Sequence, residues 1–446
     1  MSTYSTVSYE KAGTPRTVVD IFGPYLPNIL SELDTLRKTA YSREFLEEIQ
    51  SERLKQIITL AKKDVPFYRK RLANLSRFEH FPLVTRDLLR GEPTEHFVAD
   101  HFDPKRCVKS STSGTSGKVI TVLNDSSRFV SSIASLMRRL DRVGLSFGFR
   151  LAEIARTDAA VLPSWDEKFN FLTGMSRLFR LNLSTSEMEE SLTSLHYFDP
   201  EVLWGYTSNL IRLGTLVEEY HISLRPKVVY PFGEKLTENA RRFLGRVFSA
   251  PVHDAYGLME AGLVAWQCEN LSYHLDEERV LVELVQPDQP SQRGERQVVL
   301  TTLTNKVMPF LRYATGDYAI ESKSSCDCGM KLRTVKVQGR TRELFFDQDD
   351  KPLEWDRLEH YLNSLDVYTW QVIQPENGHV HINLASDDVN TAQVEQEVRN
   401  LLINMKKIII SRSPIEELQT VVGKMPVVLG KGDQISDDLC SCLQYR

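Results

Sequence analysis

The residues from Ser110 to Lys118 combine small and hydroxyl-bearing side chains with a cation at the end. They read Ser-Ser-Thr-Ser-Gly-Thr-Ser-Gly-Lys. Small residues let the backbone approach a phosphate, hydroxyls add hydrogen-bond donors, and a lysine supplies positive charge. The stretch is not a Walker A loop, because Thr112 replaces its first glycine and Val119 replaces its final Ser or Thr. A flexible linker is the alternative, but the apolar run KVITVL that follows favours a hairpin turn.

Two further stretches place a carboxylate near a turn glycine. In Asp254–Glu260 (DAYGLME), the tyrosine ring can stack on a base and the glutamate can hold Mg²⁺. In Arg312–Asp317 (RYATGD), the aspartate can accept both hydroxyls of a ribose. For each stretch, an ordinary turn with an acidic residue is the alternative. Two glycine–cation pairs lie further on, at Gly339-Arg340 and Gly423-Lys424.

Cys268, His274, Cys326 and Cys328 form a C-x5-H group and a C-x-C group in turn-like sequence. Thiolates and imidazoles of this kind are the ligands of structural zinc, and Gly329 allows the turn that a metal knuckle needs. Because the spacing is not one of the stronger zinc patterns, two unrelated surface features remain the alternative.

Strands and helices alternate around these motifs. After Val108, the strand-like runs VLWGY, PKVVYPFGE and PVHDAYG are separated by helical stretches. The helices are predicted at Ser126 to Val143, at Ser208 to Tyr220, and in LTENARRFLGRVF, where Thr237 is the expected N-cap. Such alternation predicts an α/β architecture with a largely parallel sheet.

The segments before and after this alternating region have other patterns. Residues 24–90 read as a helical opening that is interrupted at Pro66, and residues 273–338 read as short antiparallel strands of a β-subdomain or barrel. After Gly339-Arg340 the pattern contains a helix, two strands, a long helix from Thr391 to Met405 and a final strand. We therefore expect an N-terminal domain over 1–340, with mixed α/β sheets, and a small α+β domain over 341–446.

The composition excludes several classes of protein. The chain has 446 residues, 41% hydrophobic and 26% charged, which is typical of a soluble globular protein and not of a disordered or fibrous one. The 55 Lys and Arg nearly balance the 60 Asp and Glu, so nothing indicates nucleic-acid binding. No apolar run approaches the ~18 residues that a membrane-spanning helix needs. The six cysteines are too sparse for a disulfide scaffold, and we expect a cytoplasmic protein.

Taken together and in this order, the motifs resemble those of the adenylate-forming superfamily, which contains acyl-CoA synthetases, adenylation domains and luciferases. Within it, the phenylacetate–CoA ligase family and its capsule-biosynthesis relatives are the most similar branch. IITLAKKDVPFYRKRL, FEHFPLVTRDLLR, VLWGYTSNLIRL, PFGEKLTENARRFL and TTLTNKVMPFLRYATGD support that branch. The resemblance covers nearly the whole chain, and it implies that the C-terminal domain is mobile.

The resemblance implies a role for each motif. The ATP or AMP would be bound by Ser113, Gly114, Thr115, Ser116, Gly117, Lys118, Gly233, Glu234, Asp254, Tyr256, Gly257, Asp317 and Arg340. Lys424 and Glu260 would be catalytic, with Mg²⁺ on Glu260. The acyl pocket would include Tyr206, Ser208, Tyr256 and Gly257. Relatives often carry a similar Cys/His set, which agrees with structural zinc.

The resemblance also implies the reaction: a small carboxylic acid and ATP give an acyl-adenylate and pyrophosphate, and the acyl group then passes to a nucleophile. Arg342 and Glu343 stand where the family has a carboxylate pair, and its Gly-bearing stretch before the small domain is absent. This favours an amine, a hydroxyl or a carrier-protein thiol as the acceptor. A CoA ligase and a non-catalytic nucleotide-binding homologue are the alternatives. A homodimer is plausible for this branch.

Overall fold

A computed structural model describes most of the chain. The described residues are 25–111, 120–155, 165–168, 177–183, 188–287, 294–322, 325–340, 345–353, 355–419 and 425–430. The predicted phosphate loop from Ser113 to Lys118 and the predicted catalytic Lys424 lie outside these ranges.

The described residues include ten α-helices, and side-chain N-caps mark several of their starts. Ser42, Thr85, Asp125, Thr237 and Asn390 each accept a hydrogen bond from a backbone N–H three residues later. The helices are α1 (Leu26–Thr39), α2 (Arg43–Asp64), α3 (Pro66–Arg71), α4 (Arg86–Gly91), α5 (Ser126–Asp141), α6 (Met188–Phe198), α7 (Thr207–Glu219), α8 (Glu238–Phe248), α9 (Trp355–Ser364) and α10 (Thr391–Leu401).

The named strands follow the helical opening and begin at Val108. They are β1 (Val108–Ser111), β2 (Thr121–Asn124), β3 (Arg150–Ala155), β4 (Trp165–Lys168), β5 (Arg177–Asn182), β6 (Val202–Tyr206), β7 (Val228–Phe232), β8 (Ala255–Leu258), β9 (Gly262–Gln267), β10 (Tyr273–Leu275), β11 (Val280–Val285), β12 (Arg296–Thr302), β13 (Tyr313–Glu321), β14 (Thr334–Arg340), β15 (Thr369–Ile373), β16 (His379–Ala385), β17 (Lys407–Arg412) and β18 (Val428–Leu429).

The predicted α/β class is confirmed, and most predicted elements are present. The helix after Gly233 is α8 with Thr237 as its cap, and β1 and β2 form the expected antiparallel hairpin. One helix end was predicted wrongly: α10 ends at Leu401 and not at Met405. Asn404 has a φ of +67°, a left-handed conformation that a right-handed helix does not contain.

The chain divides into two compact units. Unit 1 contains Met1–Phe149, Lys168–Arg177 and Ala255–Gly339, and unit 2 contains Arg150–Glu167, Leu178–Asp254 and Arg340–Arg446. One crossing point lies between Gly339 and Arg340, next to the domain boundary expected from the sequence. The segment that begins there belongs to unit 2, which also includes Arg150–Glu167 and Leu178–Asp254. The separate, mobile C-terminal domain stays a prediction.

Unit 1 is built on a largely antiparallel sheet. Its strands follow the order β11-β12-β13-β14-β10-β9-β8. The strands predicted over 273–338 are thus part of a longer sheet that also contains β8 and β9. Its core is formed by apolar residues of the helical opening and of this sheet, among them Phe67, Phe97, Val264, Leu300 and Phe310.

A buried ionic network holds α5 of unit 1 in place. Arg138 lies 2.5 Å from Asp276 and 2.6 Å from Glu278, and Arg279 lies 2.9 Å from Asp276. All four side chains are at most 4% exposed. Removing one partner of such a network leaves an uncompensated buried charge, which is strongly destabilising. Because Arg138 is on α5 and its partners lie between β10 and β11, the network fixes α5 against that segment.

Unit 2 combines a parallel sheet with a second, four-stranded sheet. β3 pairs in parallel with β6, and β6 pairs in parallel with β7, while the second sheet has the order β17-β16-β15-β18. The side chain of Asn239 on α8 donates to the carbonyls of Leu362 and Leu365. This contact and a shared apolar core explain why 340–446 groups with the preceding part of unit 2.

A helix with the length and apolar character of a membrane span does not occur among the described residues.

Candidate active site

The hairpin of β8 and β9 in unit 1 carries Tyr256, Gly257 and Glu260. The register of its pairing shifts between Tyr256 and Gly257, which marks a β-bulge. A Cβ at Gly257 would lie 2.8 Å from the carbonyl oxygen of Gly262, closer than side chains approach backbone. Only glycine therefore fits at 257, and the bulge sets the direction of the turn that contains Glu260.

Glu260 is a buried carboxylate with two polar neighbours from other parts of unit 1. It is 1% exposed. The hydroxyl of Tyr313 donates to Glu260 Oε1 at 2.7 Å, and a guanidinium nitrogen of Arg86 lies 3.6 Å from the same oxygen. Burial and the Glu260 charge raise the pKa of Tyr313, so the phenol remains a donor at neutral pH. A carboxylate oxygen is a ligand suited to Mg²⁺, which typically takes one or two protein carboxylates and completes its shell with water and phosphate.

Arg128 on α5 fixes the backbone of the same turn. Its guanidinium donates to the carbonyls of Met259 at 2.8 Å and Glu260 at 3.2 Å. Burial and the nearby Arg279 lower the pKa of Arg128 to about 9, which still leaves it a cation at neutral pH. The turn that presents Glu260 is therefore tied to the buried network of α5.

Asp317 lies in an irregular part of β13, opposite β12. The register shifts beside Val298, because Thr315, Gly316 and Asp317 together oppose this one residue. Gly316 has a φ of +82°, and Thr315 Oγ1 accepts from the Asp317 N–H while donating to the Val298 carbonyl. The Asp317 side chain accepts a hydrogen bond of 2.7 Å from the hydroxyl of Tyr256. The predicted ribose ligand and the predicted adenine-stacking ring are thus in direct contact.

Unit 2 brings together Glu234, Ser208 and the residue after Lys424. Glu234 follows β7 and Gly233, which has a φ of +73°. Its carboxylate accepts from the backbone N–H of Ser208 at 2.7 Å, the hydroxyl of Ser208 at 3.0 Å and the N–H of Met425 at 2.6 Å. The first bond places negative charge at the N-terminus of α7, where the helix dipole favours it. Burial and Glu234 raise the pKa of Tyr206, the residue just before α7.

The remaining predicted residues are only partly described. Asp254 is the last residue of its segment of unit 2 and is buried, with 8% exposure. Arg340 ends β14, but its side chain lies outside the described part, as do Ser113, Gly114, Thr115, Ser116, Gly117, Lys118 and Lys424.

Cys268, His274, Cys326 and Cys328 form a compact cluster in unit 1. Their ligand atoms all lie within 4.8 Å of one another. Cys268 Sγ is 3.6 Å from Cys326 Sγ, and Cys328 Sγ is 3.2 Å from His274 Nε2. Ligands on a tetrahedral zinc with Zn–S bonds of ~2.3 Å are separated by ~3.7 Å, so the set fits zinc without large movement. Burial lowers the pKa of His274 to about 4, so the imidazole is neutral, as a ligand must be.

Three curated proteins are similar in sequence over most of their length. Phenylacetate-coenzyme A ligase of Thermus thermophilus is 29% identical over 348 residues, which cover 70% of this chain and 73% of the relative. Protein CapK of Staphylococcus aureus is 21% identical over 66% of this chain and 67% of its own. Fumarate–(S)-2,3-diaminopropanoate ligase of Enterobacter agglomerans is 25% identical over 75% and 84%. No family profile matches the chain.

The fold also agrees with a solved structure. A 2-hydroxyisobutyryl-CoA ligase in its postadenylation state superposes with a TM-score of 0.68 over 91% of this chain and 93% of the other, at 15% identity. The chain has its curated sequence relatives in the adenylate-forming superfamily. It is an adenylate-forming ligase, and its relatives confirm the predicted phenylacetate–CoA ligase and capsule-biosynthesis branch.

Sequence reasoning missed three residues of this adenylate-forming ligase that surround Glu260. Tyr313 lies inside the RYATGD motif, and Arg86 lies inside FEHFPLVTRDLLR, but neither received a role. No sequence motif indicated a role for Arg128, because its contacts are to backbone carbonyls of a turn that is distant in sequence. Cations that directly follow a motif along the chain were predicted from the sequence, whereas cations that folding brings to a motif were not.

Proposed function

We propose that this adenylate-forming ligase activates a small carboxylic acid with ATP and transfers the acyl group to a nucleophile. A carboxylate is a poor electrophile because resonance spreads its charge. One of its oxygens attacks the α-phosphorus, the bond to the β-phosphate oxygen breaks, and pyrophosphate leaves with the bonding electron pair. The acyl-adenylate that forms has a good leaving group.

One observation carries the proposal: the Tyr256–Asp317 and Tyr313–Glu260 contacts join two motifs in unit 1. These contacts hold Tyr256, Asp317 and Glu260 close together, and we assign to them the base, the ribose and a metal ion, respectively. If the two motifs were ordinary, unrelated turns, their side chains would have no reason to contact each other. The arrangement supports nucleotide binding and leaves the nature of the acid open.

Charge on the phosphates explains the remaining roles that we propose. Negative charge grows on the α-phosphate during attack, and preorganised cations there lower the barrier. Mg²⁺ held by Glu260 would neutralise the phosphates and the departing pyrophosphate. Lys118 and Lys424 would supply fixed positive charge, and Arg340 would contact the ribose or phosphate. The roles assigned by resemblance to Tyr206, Ser208, Gly233, Glu234, Asp254 and Gly257 stay predictions.

Carboxylate-dependent ATP–pyrophosphate exchange across a panel of acids tests the first step. We expect exchange with at least one acid and a requirement for Mg²⁺. Folded protein that shows no exchange with any acid would indicate the non-catalytic nucleotide-binding alternative.

The acceptor is the second part of the proposal, and two chemistries are in competition. The name of the Thermus relative specifies coenzyme A, whereas that of the Enterobacter relative specifies an amine. Arg342 and Glu343, which replace the usual carboxylate pair, favour an acceptor other than CoA. Supplying CoA, a set of amines or a carrier protein to preformed acyl-adenylate, and identifying the acylated product by mass spectrometry, separates these cases. Cytoplasmic location and a homodimer stay predictions from the sequence.

We also propose that Cys268, His274, Cys326 and Cys328 bind one structural Zn²⁺. Because such a site links two loops that are far apart in sequence, its metal should stabilise unit 1. We expect purified protein to contain about one zinc per chain by inductively coupled plasma mass spectrometry. Cys328→Ser should lose most of the zinc and lower the melting temperature.

Cys107→Ser is the matched control for this prediction. Cys107 is a partly buried free thiol that donates to the carbonyl of Asp103, away from the cluster. Its substitution should leave the zinc content unchanged. Well under one zinc per chain in the unmodified protein, with a normal melting transition, would remove the zinc proposal.

A further inference from the structure

Arg86 is a cation placed beside a carboxylate that the proposed function reserves for a metal ion. Its guanidinium lies 3.6 Å from Glu260 Oε1, and its side chain is 23% exposed while that of Glu260 is 1% exposed. Charge-assisted hydrogen bonds between guanidinium and carboxylate are usually ~2.7–2.9 Å long. The Arg86–Glu260 pair is therefore close enough to neutralise charge without being a tight bidentate ion pair.

The fold brings Arg86 to this position through the strand segment that precedes α4. The N–H of Val84 donates to the carbonyl of Arg312, and the N–H of Ala314 donates to the carbonyl of Val84. These two bonds fix Val84 beside Tyr313 at the start of β13. Thr85 then caps α4 by accepting from the N–H of Leu88, so that Arg86 begins the helix next to Tyr313 and Glu260.

The charges around Arg86 come from the two motifs that we assign to the nucleotide. Although burial acts to lower the pKa of Arg86, Tyr313, Glu260 and Asp317 raise it above its ordinary value. The guanidinium thus stays charged, and at 3.6 Å it compensates the charge of the Glu260 carboxylate. An isolated buried carboxylate is costly, so Glu260 needs a cation whenever no metal is present.

We propose that Arg86 is a positioning residue that acts through Glu260 as a cation that substitutes for the metal. It compensates the charge of the Glu260 carboxylate while no metal is bound, and it moves away from the carboxylate when a nucleotide delivers a divalent metal ion. The inference rests on the proposed function. The positive charge of Arg86 repels a second cation, so it weakens the binding of a free metal ion to Glu260. A metal ion that is bound to the phosphates of ATP is repelled less, because the negative phosphates offset its charge. Arg86 would thereby couple metal binding to nucleotide binding.

Metal binding itself provides the test, without any turnover. Mn²⁺, which accepts the same oxygen ligands as Mg²⁺, is titrated into the full chain with and without α,β-methylene-ATP, and free Mn²⁺ is measured by electron paramagnetic resonance. In the unmodified protein we expect tight binding only with the nucleotide analogue. In Arg86→Gln, the half-saturating Mn²⁺ concentration without nucleotide should fall about tenfold, because a neighbouring positive charge has been removed.

Thermal unfolding adds a second readout, because metal and analogue can recover the stability lost with a cation that substitutes for the metal, but not the stability lost with a purely structural ion pair. Arg86→Gln should melt at a lower temperature without metal, and saturating Mn²⁺ with the analogue should restore most of the loss. Arg86→Lys keeps the charge and should behave like the unmodified protein in the Mn²⁺ titration. Arg71→Gln is the matched control, since Arg71 pairs with Glu92 at 3.0 Å on the surface of unit 1.

Each outcome decides the inference. Equal Mn²⁺ affinity in Arg86→Gln and the unmodified protein overturns it while leaving the proposed function intact. A loss of thermal stability that metal and analogue do not recover also overturns it. If Arg86→Gln does not fold without metal, refolding on addition of Mn²⁺ and the analogue supports the inference, and failure to refold overturns it. If the unmodified protein binds neither metal nor analogue, the proposed function falls together with the inference.

Discussion

Lys424→Ala is expected to slow carboxylate-dependent ATP–pyrophosphate exchange by about 10²–10³-fold, because it removes a fixed positive charge from the phosphate at which negative charge develops. The lysine follows Gly423 near the end of the chain. Circular dichroism and the melting temperature should be unchanged. Acyl transfer from supplied acyl-adenylate should also persist, because the charge serves only the first half-reaction.

Lys407→Ala is the matched control, since Lys407 is an exposed lysine of the same C-terminal segment, at the start of β17. It should leave exchange and acyl transfer unchanged. If Lys424→Ala retained full exchange, the catalytic role of this lysine would be refuted. Equal losses in both half-reactions would instead indicate a general effect on the site.

Asp317→Asn is expected to raise the KM for ATP by about 10–100-fold, the effect of losing one or two hydrogen bonds to a charged acceptor. A carboxylate can accept from both ribose hydroxyls, whereas a side-chain amide has one acceptor oxygen. The unmodified protein should therefore discriminate strongly between ATP and 2′-deoxy-ATP. The variant should discriminate weakly, which steady-state kinetics with both nucleotides measures.

Two variants separate ribose recognition from local packing. Tyr256→Phe removes the 2.7 Å hydrogen bond to Asp317 but leaves the carboxylate, so the preference for ATP over 2′-deoxy-ATP should survive. Glu321→Gln, at the exposed end of β13 where Glu321 pairs with Arg333, should have no effect on KM. An unchanged discrimination ratio in Asp317→Asn would exclude Asp317 as the ribose ligand.

The sequence alone determined the local features of this protein. Thr237 as a cap, the break before Pro66 and the hairpin of β1 and β2 depend on neighbouring residues, whose preferences are readable along the chain. The motifs around Tyr256, Glu260 and Asp317 were also found, because each combines a turn glycine with a carboxylate within a few positions. Together with the resemblance, this was enough to identify the superfamily, which the relatives confirm.

Tertiary structure alone decided which of these features meet. Tyr313 and Glu260 are 53 residues apart, and Tyr256 and Asp317 are 61 residues apart. Arg86 reaches Glu260 only because Val84 pairs with β13. No periodicity or spacing encodes such contacts, since they depend on strand register and on the closure of long loops. For the same reason, the four Cys and His residues became one compact cluster only when β10 paired with β9 and β14.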